Sequence, residues 1–166
     1  MKLKDSQLIK ALLEDDYNAM ECIINECGIN AVDRDQRNLL MNCVVKNKIN
    51  FVVNILKNDK LDVNNQDYQG FTALHLAIEN NLLEIVQLLL KDSRISIDIQ
   101  DNWGNTPLWR AVHNNPDNRD IINALISKGA NPQISNKHGV SPLQIMKEDQ
   151  EEGSYDYSDI IGSVSD

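Results

Sequence analysis

The chain is short of cysteine, with only Cys22, Cys27 and Cys43 in 166 residues. So odd and sparse a set excludes the disulfide framework that staples small secreted domains. No histidine lies near the three in sequence, which excludes zinc-ligand spacing. They are expected to be buried thiols, because free cysteine behaves as a small hydrophobe. Long apolar runs are missing too. None approaches the ~20 residues that a membrane helix needs. The start, MKLKDSQLIK, lacks the apolar core of a secretory signal. A cytoplasmic protein with no membrane partner is expected. Cations are also few: 16 Lys and Arg against 25 acids give a net charge of −9. Affinity for nucleic acid comes mainly from cations that release counterions from phosphates, so nucleic acid is excluded as a partner. The same Coulomb sign favours a protein partner with a basic surface.

Catalytic signatures are absent as well. There is no G-x-S-x-G, no phosphate-binding loop, no H-E-x-x-H and no dinucleotide fingerprint. The close acids Asp33 and Asp35, or Asp15 and Asp16, stand at no calcium-loop spacing. Neither an enzyme nor a metal or cofactor protein is expected. What the chain does have is a hydrophobic fraction of 42% and a charged fraction of 25%, both normal for a folded domain.

It also repeats itself. Asp67, Gly70, Thr72, Leu74 and Ala77 recur 34 residues later as Asp101, Gly104, Thr106, Leu108 and Ala111. A further copy puts Gly139, Ser141 and Leu143 at matching places. A degenerate copy at 33–57 keeps Leu40 and Cys43 but has Gln36 for the glycine and Asn38 for the threonine. Leu8, Ala11, Cys22, Ile23 and Ile24 match Leu74, Ala77, Leu88, Leu89 and Leu90 with one offset of 66. Each copy reads as helix–turn–helix. Thr72 is a natural N-cap, and Leu74, Ala77 and Ile78 share one helical face. Asn80 and Asn81 make the turn before a second apolar helix. Gly70 supplies a positive φ in the turn Asp67–Gly70. LDVNNQ (61–66) and ISIDIQ (95–100) alternate with period two, which predicts two-stranded projections between the units. Pro116 is expected to end the first helix of the fourth copy.

The pattern D-x-x-G-x-T-[AP]-L-[HW]-x-A, followed by an apolar second helix, resembles the ankyrin repeat; GFTALHLA (70–77) and GNTPLWRA (104–111) carry the likeness. The resemblance implies an all-α solenoid of about four to five helix–turn–helix units with short β-turn fingers. The units run at about 1–32, 33–66, 67–100 and 101–135, with 136–147 as a partial cap and 148–166 as an acidic tail. The resemblance also implies that His75 ties neighbouring turns, and that a concave face of finger tips and first helices binds a partner.

On that face the variable positions are Arg34, Arg37 and Lys46 in the second unit. The third offers Tyr68, Gln69, Phe71 and Asn80, and the fourth Asn102, Trp103, Asn105, Trp109, His113 and Asn114. His138 follows in the fifth. Aromatics make up only 5% of the chain, yet Tyr68, Phe71 and Trp103 are expected to be exposed in adjacent turns. Interface hot spots favour such rings. Trp109 stands where the third unit has His75.

Residues 1–147 hold 18 acids and 16 bases, whereas 148–166 hold seven acids and no base. Most of the net charge therefore belongs to the tail. Glu151, Glu152, Tyr155, Asp156, Tyr157 and Asp159 form an acidic-aromatic arm that serves either as a solubilising cap or as a contact for a basic partner. With 21 Asn and 18 Ile, the composition looks like that of an AT-rich genome. Small stand-alone ankyrin proteins of this kind resemble bacterial immunity proteins. That resemblance implies a non-catalytic monomer, free in the cytoplasm, that binds and inhibits one cognate, cationic toxin. The alternative is a regulatory adaptor or scaffold, or a secreted effector that mimics host ankyrin proteins.

Overall fold

A computed structural model describes residue 3 and residues 5–164. Asp166, one of the seven tail acids, lies outside the described residues. Ten helices, α1 to α10, are present among the described residues. They pair along the chain as α1 (Asp5–Leu13) with α2 (Tyr17–Cys27), α3 (Leu39–Val45) with α4 (Ile49–Leu56), and α5 (Ala73–Glu79) with α6 (Leu83–Leu89). Then come α7 (Pro107–Asn114) with α8 (Arg119–Ser127), and α9 (Pro142–Glu151) with α10 (Ser158–Val164). The first helices α3, α5, α7 and α9 stack in one row, and α4, α6 and α8 in a second row behind it. The fold is an all-α solenoid.

Local chemistry starts each pair in the same way. Asn38, Thr72, Thr106 and Ser141 cap α3, α5, α7 and α9, each accepting from the backbone N–H three residues on. Behind the caps, Leu74, Ala77 and Ile78 meet Ile85, Val86 and Leu89, all at most 1% exposed. Pro116 follows the end of α7 at Asn114. At Gly70, φ is 78°, and a Cβ there would stand 2.7 Å from the Asn102 backbone nitrogen. Both the turn and the spacing of neighbouring fingers therefore require glycine at this position.

The two-stranded projections do not form. Residues 61–66 and 95–100 run as turns, and no strand occurs among the described residues. Their alternation buries Leu61 and Val63 without building a ladder. Adjacent fingers share one main-chain bond each: Tyr68 N to Asp35 O, Asn102 N to Gln69 O, and Lys137 N to Trp103 O. Side-chain amides add further ties. Gln66 Nε2 donates to Gly70 O and Gln100 O, and Gln100 Nε2 to Gly104 O and Ser135 O. Amide clamps thus take the place of a sheet.

The cysteines also differ from expectation. Cys43 is buried, and burial pushes its thiol up to about 12. Cys27 is half-buried, however, and Cys22 is exposed on the outer helix α2 of the first pair.

The acidic segment folds back as part of the stack. Helix α9 runs on to Glu151, and α10 packs against α9 as its partner. Tyr157 is 0% and Ile160 3% exposed. The Arg119 guanidinium lies 4.6 Å over the Tyr157 ring and bonds Asp159 at 2.8 Å. The fifth repeat therefore has both of its helices.

Candidate partner-binding site

An open groove of about 720 Å³ runs across the finger turns of the third, fourth and fifth units and is backed by α7 and α9. Its walls are Gln69 and Phe71 from one turn, Trp103 and Asn105 from the next, and His138 and Val140 from the third. Trp109, Arg110 and His113 from α7 and Ile145 and Glu148 from α9 also line it.

Arg110 is the centre of the groove, and sequence reasoning passed it over. Its Nε and Nη2 donate to Asp101 Oδ2 at 2.8 and 2.6 Å, and its Nη1 lies 3.5 Å from Glu79. The guanidinium stands 4.8 Å from the centroid of Phe71, 5.3 Å from Trp103 and 6.0 Å from Trp109. One ion-paired cation thus gathers three rings. The signal was present: Arg110 holds the position of the buried Leu76 one repeat earlier, and a cation in an apolar slot needs a partner.

Phe71 is not an exposed ring. It is 9% exposed, stacked on His75 at 5.6 Å and covered by Arg110 and Trp103. Its neighbours Tyr68 and Trp103 are exposed, at 64% and 44%, and Gln69 is exposed beside them. Asn105 is buried at 5% and works within the stack. Its N–H donates to Asp101 Oδ1, its Oδ1 accepts from Asn136 Nδ2, and its carbonyl meets His75 Nε2. Asn102 is exposed, but its Nδ2 donates to Tyr68 O and joins two fingers. Asn80 is exposed and donates to Leu76 O, capping α5. Asn114 donates to Glu79 Oε1 across two units, and His113 is exposed at the groove edge with its Nδ1 against Asn114 Oδ1. His138 is exposed on the third turn.

In the second unit, Arg34 and Lys46 are exposed and lie outside the groove. Arg37 is half-buried, with its Nε 3.2 Å from Asp67 Oδ2 of the next unit. In the acidic segment, Glu151, Glu152 and Asp156 are exposed. Asp156 caps α10 through Ser158 N, and that bond holds its carboxyl below the usual range. Tyr155 is half-buried with its ring 6.2 Å from that of Tyr157, and Asp159 is tied to Arg119. Tyr157 is enclosed by its own chain, and burial pushes its hydroxyl up to about 12. It is not a ring held out to a partner.

His75 and Trp109 share one register and do different things. Thr72 N donates to His75 Nδ1 at 3.2 Å, so the other nitrogen, Nε2, carries the proton and donates to Asn105 O at 3.2 Å. Burial lowers the imidazole pKa to about 4 and keeps it neutral. Trp109 instead stacks on His113 at 4.5 Å, with its Nε1–H buried and lacking an acceptor. An unmade bond of that kind costs about 1–3 kcal/mol.

No group of three or more His, Cys, Asp or Glu among the described residues is placed to hold a metal ion. No helix among them is long and apolar enough to cross a membrane. A family model of ankyrin repeats in three copies matches residues 8–101, and a model of the ankyrin repeat matches residues 103–137. No curated protein matches the chain at a significant level.

Proposed function

The chain belongs to the ankyrin-repeat family, a scaffold for protein–protein interaction that is generally non-catalytic, and on that footing we propose that it is a stoichiometric binder that occludes one partner protein with the groove of its third to fifth units. The observation that carries this is the pair of exposed rings, Tyr68 and Trp103, on adjacent finger tips beside that groove. Rings of this size on a rigid frame are the residues that anchor interfaces. Glu148 lines that groove, and Glu148 and Glu151 are exposed on α9. They suit a partner with a basic surface, by attraction during encounter and by sign when docked.

The most concrete form of this function is that of a cytoplasmic bacterial immunity protein, monomeric when free, that blocks a cationic toxin. The test is calorimetry against the toxin encoded beside it. Alanine at both Tyr68 and Trp103 is expected to weaken binding by about a hundredfold, as hot-spot truncations do, with the helical circular-dichroism spectrum retained. Unaltered affinity removes the finger tips from the interface. Several unrelated partners of similar affinity, in place of one, mark a regulatory adaptor instead.

A further inference from the structure

We propose that Trp109 is a recognition residue: its indole is a platform in the groove for a lysine or arginine side chain of the partner, whose cationic end is held by Glu148. This deepens, and rests on, the reading that the partner docks in this groove.

The first support is register. His75, at the third position of α5, uses both ring nitrogens on the stack, one at Thr72 and one at the carbonyl of Asn105 in the next finger. Trp109, at the third position of α7, closes no such tie. Its ring is half-exposed and lines the groove. A residue chosen only for the stack would hold the following finger as His75 does. Trp109 leaves a buried donor unpaired, and its indole, stacked on His113 and flanked by the Asp101-paired Arg110, keeps its half-exposed part in the groove where a partner would lie.

The second support is charge and shape. Arg110 is the one Lys or Arg lining the groove among the described residues, and Asp101 already engages it. Glu148 is exposed and has no ion pair among the described residues. It sits one helical turn after Ile145 on α9, and both line the groove with Val140. An indole, an aliphatic wall and a carboxylate together match a side chain with an apolar stem and a cationic end. An acidic side chain would face Glu148, and Arg110 beside it is already paired with Asp101.

The test follows the two indole N–H signals of the 15N-labelled full chain. The probes are the capped peptides Ac-Gly-Gly-Arg-Gly-Gly-NH2 and its Glu counterpart. The Arg peptide is expected to shift the Trp109 signal saturably and about tenfold more tightly than the Glu peptide. Glu148→Gln, a change on an exposed surface, is expected to weaken the Arg peptide about fivefold. Trp109→His is expected to abolish the preference for Arg while melting at or above the temperature of the unmodified chain. Equal response to both peptides overturns the assignment, as does indifference to Glu148→Gln. A melting temperature lowered by several degrees in Trp109→His also overturns it, by making Trp109 a residue of the stack. A partner complex weakened by the Tyr68 and Trp103 changes but indifferent to Trp109→His overturns this assignment alone and leaves the docking face standing.

Discussion

The third and fourth units share the turn glycine, the threonine cap and the buried leucine and alanine, and the contrast between them is sharpest at two adjacent positions of the inner helix. The third has His75 and Leu76, both buried, and both serve the stack. The fourth has Trp109 and Arg110, both half-buried and lining the groove. The contrast separates two jobs that a repeat does at once. One unit is fitted to its neighbours. The next keeps enough of that fit to remain in register and turns the remaining side chains outward.

Substitution should sort the two units by size of effect. His75→Ala removes a buried ring and its ties to Thr72 and Asn105, and is expected to destabilise by about 3–4 kcal/mol in urea unfolding. Trp109→Ala on the half-exposed side should cost clearly less, and equal costs would break the comparison.

Next comes pH. The folded His75 titrates near 4, below its ordinary 6.5, so between those values the unfolded chain binds more protons. Its contribution is complete above about 6.5 and is lost as pH falls towards 4, a span worth at most about 3 kcal/mol. The difference in stability between the unmodified chain and His75→Gln, measured across that range, should carry this slope. A flat difference would mean that the ring is solvated.

Arg110→Leu restores the residue type of the third unit but strips Asp101, whose side chain is 0% exposed, of its cation. A loss of about 2 kcal/mol is expected by denaturant titration. No loss would show that the Asp101 carboxylate is satisfied by its turn alone. The smallest effect belongs to Asp159→Asn at the outer end of the stack. Asp159 is 66% exposed, and such pairs contribute less than about 1 kcal/mol.

The fold was legible wherever local chemistry repeats at fixed spacing. Thr72, Thr106 and Ser141 announce helix starts, and Gly70 and Gly104 announce turns, because a cap or a positive φ needs few neighbours to explain it. Three features were not legible in that way. The alternation in 61–66 reflects one-sided burial of Leu61 and Val63, which a turn satisfies as well as a strand does. Tyr157 reads as part of an acidic-aromatic arm, yet it is buried together with Ile160. The loop from Gly153 to Asp156 lengthens the spacing, and the charges around them conceal an apolar face that only α9 and Arg119 complete. In the groove, Phe71 looked exposed because its turn position is exposed in general. The ring is covered by Arg110, which lies 39 residues away in the chain.

Consider last the single main-chain bond that joins each finger to the next. A sheet would resist splaying with several bonds per step. Here each finger is joined to the next by one main-chain bond and by side-chain ties, while the apolar helices hold the opposite side. The shape of the groove is therefore written in polar side chains and the shape of the spine in apolar ones. Asn105 and Asn136 can be changed to move a wall of the groove while Leu74, Ile85 and Leu108 remain the packing of the stack.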